Sequence, residues 1–161
     1  MINALYRGKR ADNGEWVYGY YVKDVHSYGL VSNPSYREEH QIWYNKDNKQ
    51  VYAEVIPETV GQWTGLTDKN GIKVFDGDIV KDDNLDTILL CDTRKSKRTG
   101  IAIVKYGLHD VPSDDPFCWG KALGFYFDGD TLYPTPAMYE ESDEFFFEII
   151  GNFYDNADLL E

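Results

Sequence analysis

The sequence is poor in several things, and each shortage excludes a class of function. It has two cysteines, Cys91 and Cys118, and three histidines, His26, His40 and His109. Two cysteines far apart in sequence do not make the disulfide framework of a small secreted fold. No C-x-x-C pair or other short ligand spacing is present, so a structural zinc site has no basis. No apolar run approaches the roughly 18 residues a membrane-spanning helix needs. The opening Met1-Ile2-Asn3-Ala4-Leu5-Tyr6-Arg7 lacks the charged-then-apolar layout of a signal peptide, so a soluble, cytoplasmic protein is expected. There is no G-x-S-x-G nucleophile elbow and no G-x-x-x-x-G-K-[ST] phosphate loop; Gly120-Lys121 is followed by Ala122. Neither cysteine has a basic neighbour that would favour a reactive thiolate.

Positive charge is scarce as well. The net charge is −12 from 16 basic and 28 acidic residues. Residues 1–76 are nearly balanced, with 9 basic and 10 acidic, whereas residues 77–161 hold 7 basic and 18 acidic. Such a surface repels phosphate backbones, which disfavours general nucleic-acid binding.

What the 161 residues do contain is β-forming and aromatic. Hydrophobic residues make up 42% and aromatics 16%, with 13 Tyr, 8 Phe and 4 Trp, which excludes a disordered chain. Trp16, Tyr18, Tyr20 and Val22 recur with a period of two, placing an aromatic row on one face of a sheet. Asn13-Gly14 before them tolerates positive φ and predicts a hairpin with Ile2–Arg7. A second hairpin is expected from Gln41–Tyr44 through the polar Asn45–Lys49 to Val51–Val55. Ser32-Asn33-Pro34-Ser35 is expected to break regular structure between them. Gly61–Gly71 reads as a short aromatic strand running into a turn, and Asp76-Gly77 as a tight turn before Asp78-Ile79-Val80. Further strands are expected at Ile88–Cys91, Ile101–Tyr106, Ala122–Phe127 and Phe145–Ile150. The reading is all-β. A hairpin-rich domain over 1–66 precedes an SH3-like barrel over 72–155 and a tail at 156–161, where Asn156 would cap one helical turn.

Candidate chemistry is sparse. Asp68-Lys69-Asn70-Gly71 resembles part of a calcium loop, but Leu66 and Gly77 stand where ligands are required, so a turn is expected. Asp76 and Asp78, then Asp82, Asp83, Asp86 and Asp92, and the run Glu140, Glu141, Asp143 and Glu144 read as acidic loops at strand ends. Arg94-Lys95-Ser96-Lys97-Arg98 is a basic loop, offset by its acidic surroundings. The aromatic excess is more than two small barrels can hide, which points to a protein interface rich in Tyr and Trp.

Three segments together resemble the YopX family of phages and prophages. They are Tyr6–Arg10 with Asp12–Gly19, then Gly61–Gly71 running into Phe75–Val80, and finally Phe147–Asn156. Trp63 stands where that family usually has Tyr or Phe. The resemblance implies a two-part β protein ending in an SH3-like barrel, made in the cytoplasm of a bacterial host. It brings no catalytic residues.

The expected function is therefore a non-enzymatic protein-binding module that self-associates and contacts a host or phage protein, with no cofactor, metal or membrane. Its candidate partner-binding residues are Gln62, Trp63, Thr64, Asp76 and Asp78. One alternative is nucleic-acid-related: single-strand binding through Arg94, Lys95, Lys97 and Arg98, or an acidic DNA mimic that occupies a host DNA-binding protein. The other is a small metal-dependent hydrolase using Asp76 or Asp78.

Overall fold

The computed structural model describes residues 5–30, 32–82, 100–112, 119–129 and 147–161. The described residues form an all-β protein with antiparallel pairing throughout and no α-helix. The chain divides into two compact units, Met1–Trp63 and Thr64–Glu161.

The first unit contains β1 (Tyr6–Lys9), β2 (Trp16–Leu30), β3 (Asn33–Lys46), β4 (Lys49–Glu54) and the start of β5 (Gly61–Thr67). Their order is β4-β3-β2-β1-β5. Turn chemistry sets the register. Gly14 takes φ 74° and closes the β1–β2 hairpin, while Asn13 Oδ1 accepts the Glu15 N–H at 3.0 Å. Asp47 and Asn48 both adopt the left-handed region, φ 51° and 60°, as the two-residue turn between β3 and β4 demands. At Gly19 the β3 backbone comes so close that a Cβ would lie 2.1 Å from the Trp43 carbonyl oxygen. The inner face buries Val17, Ile42, Ala53 and Val55, with Tyr21, Tyr44 and Val60 packed around them. A single 3-10 turn, Pro57–Thr59, leads into β5. It is tied down by Thr59, whose hydroxyl donates to the Ile56 carbonyl at 2.7 Å and accepts the Lys9 N–H at 2.9 Å.

One expectation is overturned. Asn33–Ser35 do not interrupt regular structure. Leu30 pairs with Asn33 and Gly29 with Pro34, so β2 and β3 are the two legs of one long hairpin. The former gap is that hairpin's tip.

The second unit carries the end of β5, its neighbour β6 (Lys73–Phe75), β7 (Asp78–Asp82), β8 (Ile101–Pro112), β9 (Trp119–Gly129) and β10 (Phe147–Asn152). The last four form a sheet in the order β10-β7-β8-β9. Val74, Val80, Ala102, Val104, Phe127 and Phe147 make its core, and the Phe127 and Phe147 rings meet edge to face at 5.4 Å. The strand expected at Ile88–Cys91 lies outside the described residues.

Two buried carboxylates hold this unit's opening turns. Asp68, 4% exposed, accepts backbone N–H bonds from Asn70 at 2.8 Å, Ile72 at 2.9 Å and Ile149 at 3.2 Å. Burial works against its charge, but the donors of Ile72, Ile149 and Asn70 outweigh it and hold the carboxyl below the usual Asp range. The Asp68–Gly71 segment is thus the turn its sequence suggests, with the side chain as its organising acceptor. Asp78, 1% exposed, accepts the Phe75 N–H at 2.7 Å across the Asp76-Gly77 turn. Near the end of the chain, Ala157–Leu160 form a 3-10 turn. Asn156 does not cap it with its side chain; its Oδ1 accepts the Asn152 N–H at 3.2 Å instead.

Candidate interaction surface

The alternation of β2 sends Val17, Gly19 and Tyr21 inward and Trp16, Tyr18, Tyr20 and Val22 outward. The outward row is solvent-facing: Tyr18 is 48% exposed, Tyr20 42% and Val22 41%. Cross-strand register extends it sideways. Tyr20 stands opposite Trp43, and Trp43 opposite Tyr52, whose ring lies 5.2 Å from the Trp43 ring. At the β1 side, the Arg7 guanidinium lies 4.8 Å from the Trp16 ring centre and the Lys9 ammonium 5.6 Å. One face of the first unit is therefore an aromatic surface; Arg7 beside it is buried and Lys9 half-buried. Trp, Tyr and Arg are the residue types that dominate interface energetics.

From this surface the β2–β3 hairpin continues alone. Among the described residues, β1 pairs with β2 as far as Gly19, and β4 pairs with β3 from Gln41 onward. Among them, residues 23–30 and 33–40 pair with each other and carry no third strand. Both faces of this ribbon meet solvent: Val25, Tyr28 and Tyr36 are exposed. Charges of both signs line it. Lys23 Nζ bridges Glu38 at 2.9 Å, His26 Nε2 lies 3.3 Å from Asp24 and 3.6 Å from Glu39, and Arg37 reaches Glu39 and Glu54 at 3.6 Å each. The Lys23 pairing raises the lysine pKa and lowers that of Glu38. At the ribbon's root the Tyr21 hydroxyl and His40 Nδ1 are 2.6 Å apart, and burial pushes the Tyr21 pKa up.

The residues singled out from sequence are distributed differently. Gln62 is exposed on β5 opposite Tyr6, while Trp63 is half-buried and donates its backbone N–H to Leu5 at 2.8 Å. Thr64 uses its hydroxyl within the fold, donating to the Val74 carbonyl at 3.0 Å and accepting the Leu66 N–H at 3.1 Å. Asp78 is buried in its turn, as described, and Asp76 is half-buried at the rim of a cleft in the second unit. Arg94, Lys95, Lys97 and Arg98 lie outside the described residues, as do Cys91, Cys118 and the run Glu140–Glu144. Among the described residues, no three His, Cys, Asp or Glu side chains are grouped to hold a metal ion. No helix among them is long and apolar enough to cross a membrane.

Sequence reasoning identified the Trp16–Val22 row but missed its extension. Trp43 and Tyr52 join it only through strand register. The ribbon from Lys23 to His40 was hidden because both of its faces are polar or mixed.

A family model described as YopX protein matches residues 5–161 of this chain. Among curated proteins nothing matches. Among solved structures, the crystal structure of protein EF1440 from Enterococcus faecalis is similar at 18% identity, with a TM-score of 0.45, over 100% of both chains.

Proposed function

The chain belongs to the YopX family, and from that premise we propose that it is a non-enzymatic, self-associating protein-binding module, encoded by a phage or prophage and working in the bacterial cytoplasm. The observation that carries this reading is the aromatic outer face of the first unit, continuous with the uncovered ribbon. A lone two-stranded ribbon is at best marginally stable in water, so a second surface laid on it supplies what the fold leaves out. Among the described residues its outer edges carry no further strand, which leaves a template for one.

A second copy of the same chain fits this surface. A two-fold contact places each patch against itself in reverse. On the face of the aromatic row, the ribbon carries His26 and Arg37 beside Asp24 and Glu39. Reversal about the middle of the ribbon sets Asp24 and Glu39 of one copy against His26 and Arg37 of the other, and each aromatic root then covers the other copy's tip, where Tyr28 is exposed. Tyr20, Trp43 and Tyr52 become the buried anchors, and the ion pairs form the rim.

Light scattering after gel filtration tests this directly. The chain should elute with twice the 18.6 kDa mass of one copy. The double variant Tyr20→Glu, Tyr52→Glu should elute as a single copy with an unchanged far-ultraviolet circular dichroism spectrum. A single-copy mass for the parent chain at about 100 μM, far above the Kd of a stable dimer, would remove the proposal.

A further inference from the structure

The second unit contains a cavity of about 530 Å³, in the size range of small-molecule sites. Its floor is the face of β8 that carries Ile101 and Ile103. Its wall is the chain after β10, where Phe153 and Leu160 present apolar surface at 47% and 39% exposure. Hydrogen bonds hold the frame in place. The Gly77 N–H donates to the Val104 carbonyl at 2.8 Å, and the Phe153 N–H donates to the Gly77 carbonyl at 2.8 Å. The Phe153 and Tyr154 rings meet edge to face at 5.7 Å. The cavity is thus formed before any ligand arrives.

Its charge is one-sided. Asp76, Asp128 and Glu161 line it against the single ammonium of Lys105, which forms an ion pair and hydrogen bond with Asp128. That hydrogen bond to Asp128, with the nearby Asp76, raises the Lys105 pKa, so the lysine stays charged; three carboxylates against one ammonium leave the lining acidic.

We propose that this cavity is a binding site for a small organic cation: an ammonium or guanidinium on an apolar stem. The stem would lie on Ile101, Ile103 and Leu160. The charge would sit among the carboxylates and against the Phe153 ring, where cation–π attraction adds to Coulomb attraction. Anionic ligands are repelled, and neutral apolar ones lose the charge contribution. This site is separate from the outer face of the first unit, and the two proposals stand or fall independently.

The test uses 4-phenylbutylamine on the full chain, with 4-phenylbutan-1-ol and 4-phenylbutyrate as matched neutral and anionic probes. Two-dimensional amide NMR follows each titration. The amine should shift signals from Gly77, Ile101–Lys105 and Phe153–Glu161. It should bind about tenfold more tightly than the alcohol, and the carboxylate should leave the spectrum unchanged. Asp76→Asn should weaken the amine about threefold or more; Glu161→Gln, at an exposed position, does the same without touching a turn. Equal affinity for amine and alcohol, shifts confined to other residues, or no saturation by about 10 mM amine would each overturn the proposal.

Discussion

Replacing Asp68 by Asn tests how far one buried carboxylate organises the second unit. Its Oδ1 accepts Asn70 and Ile72, and its Oδ2 accepts Ile149. A carboxamide keeps one acceptor oxygen for the first two donors, now without charge. It turns an NH2 group toward the Ile149 N–H, so a donor faces a donor. A hydrogen bond to a charged group contributes about 1.5–3 kcal/mol, and a buried donor left unmatched costs about 1–3 kcal/mol. With one bond lost and two weakened, the expected cost is about 3 kcal/mol. For a domain of about 100 residues that lowers Tm by about 10–15 °C. The pH dependence carries the signature. The folded pKa is depressed below the unfolded value of about 3.9, so the stabilisation is complete above that value and is lost as pH falls through the folded pKa. The gap in Tm between parent and variant should be full at neutral pH and narrow below about pH 4. Near-ultraviolet circular dichroism melts across this range read both quantities. A Tm loss under about 2 °C at neutral pH, or a gap that persists unchanged at about pH 3, refutes the reasoning.

Gly19→Ala puts a Cβ 2.1 Å from the Trp43 carbonyl oxygen. Neither strand can yield without losing register, so urea unfolding should show a loss of about 3 kcal/mol or more. Asn48 sits at φ 60° in a two-residue turn, and Asn48→Gly should raise stability by about 0.5 kcal/mol, readable as a higher urea midpoint at unchanged m. Lys105 and Asp128 are 43% and 50% exposed, so Lys105→Met should change stability by less than about 1 kcal/mol, whatever it does to ligand binding.

The parts of the fold that were legible in sequence are those set by local chemistry. Asn13-Gly14, Asp68–Gly71 and Asp76-Gly77 all turn where their residues demand it. The period-two row from Trp16 to Val22 marked a strand with distinct faces. What period alone could not say was which face meets the core, because an aromatic row suits either. The Lys23–His40 ribbon escaped for a related reason. With no core on either side, its residues are under no pressure to alternate, and Pro34 near the tip looked like a break. Asp78 shows the opposite failure. An acidic residue beside a glycine turn suggested chemistry, yet its carboxylate is spent on the Phe75 N–H. The cavity was unreadable because Lys105 meets Asp128 only once β8 and β9 have paired, with Lys105 opposite Tyr126 and Ile103 opposite Asp128.

The ties from Asp68 to Ile149 and from Gly77 to Phe153 have a meaning for synthesis. They secure the opening of the second unit with residues translated 81 and 76 positions later. A growing chain on the ribosome holds these turns unlatched until the stretch around β10 emerges. The first unit, whose own long-range ties such as Trp63 to Leu5 are complete once β5 begins, can close well before then. The surface we propose for self-association is thus formed while the rest of its own polypeptide is still being made.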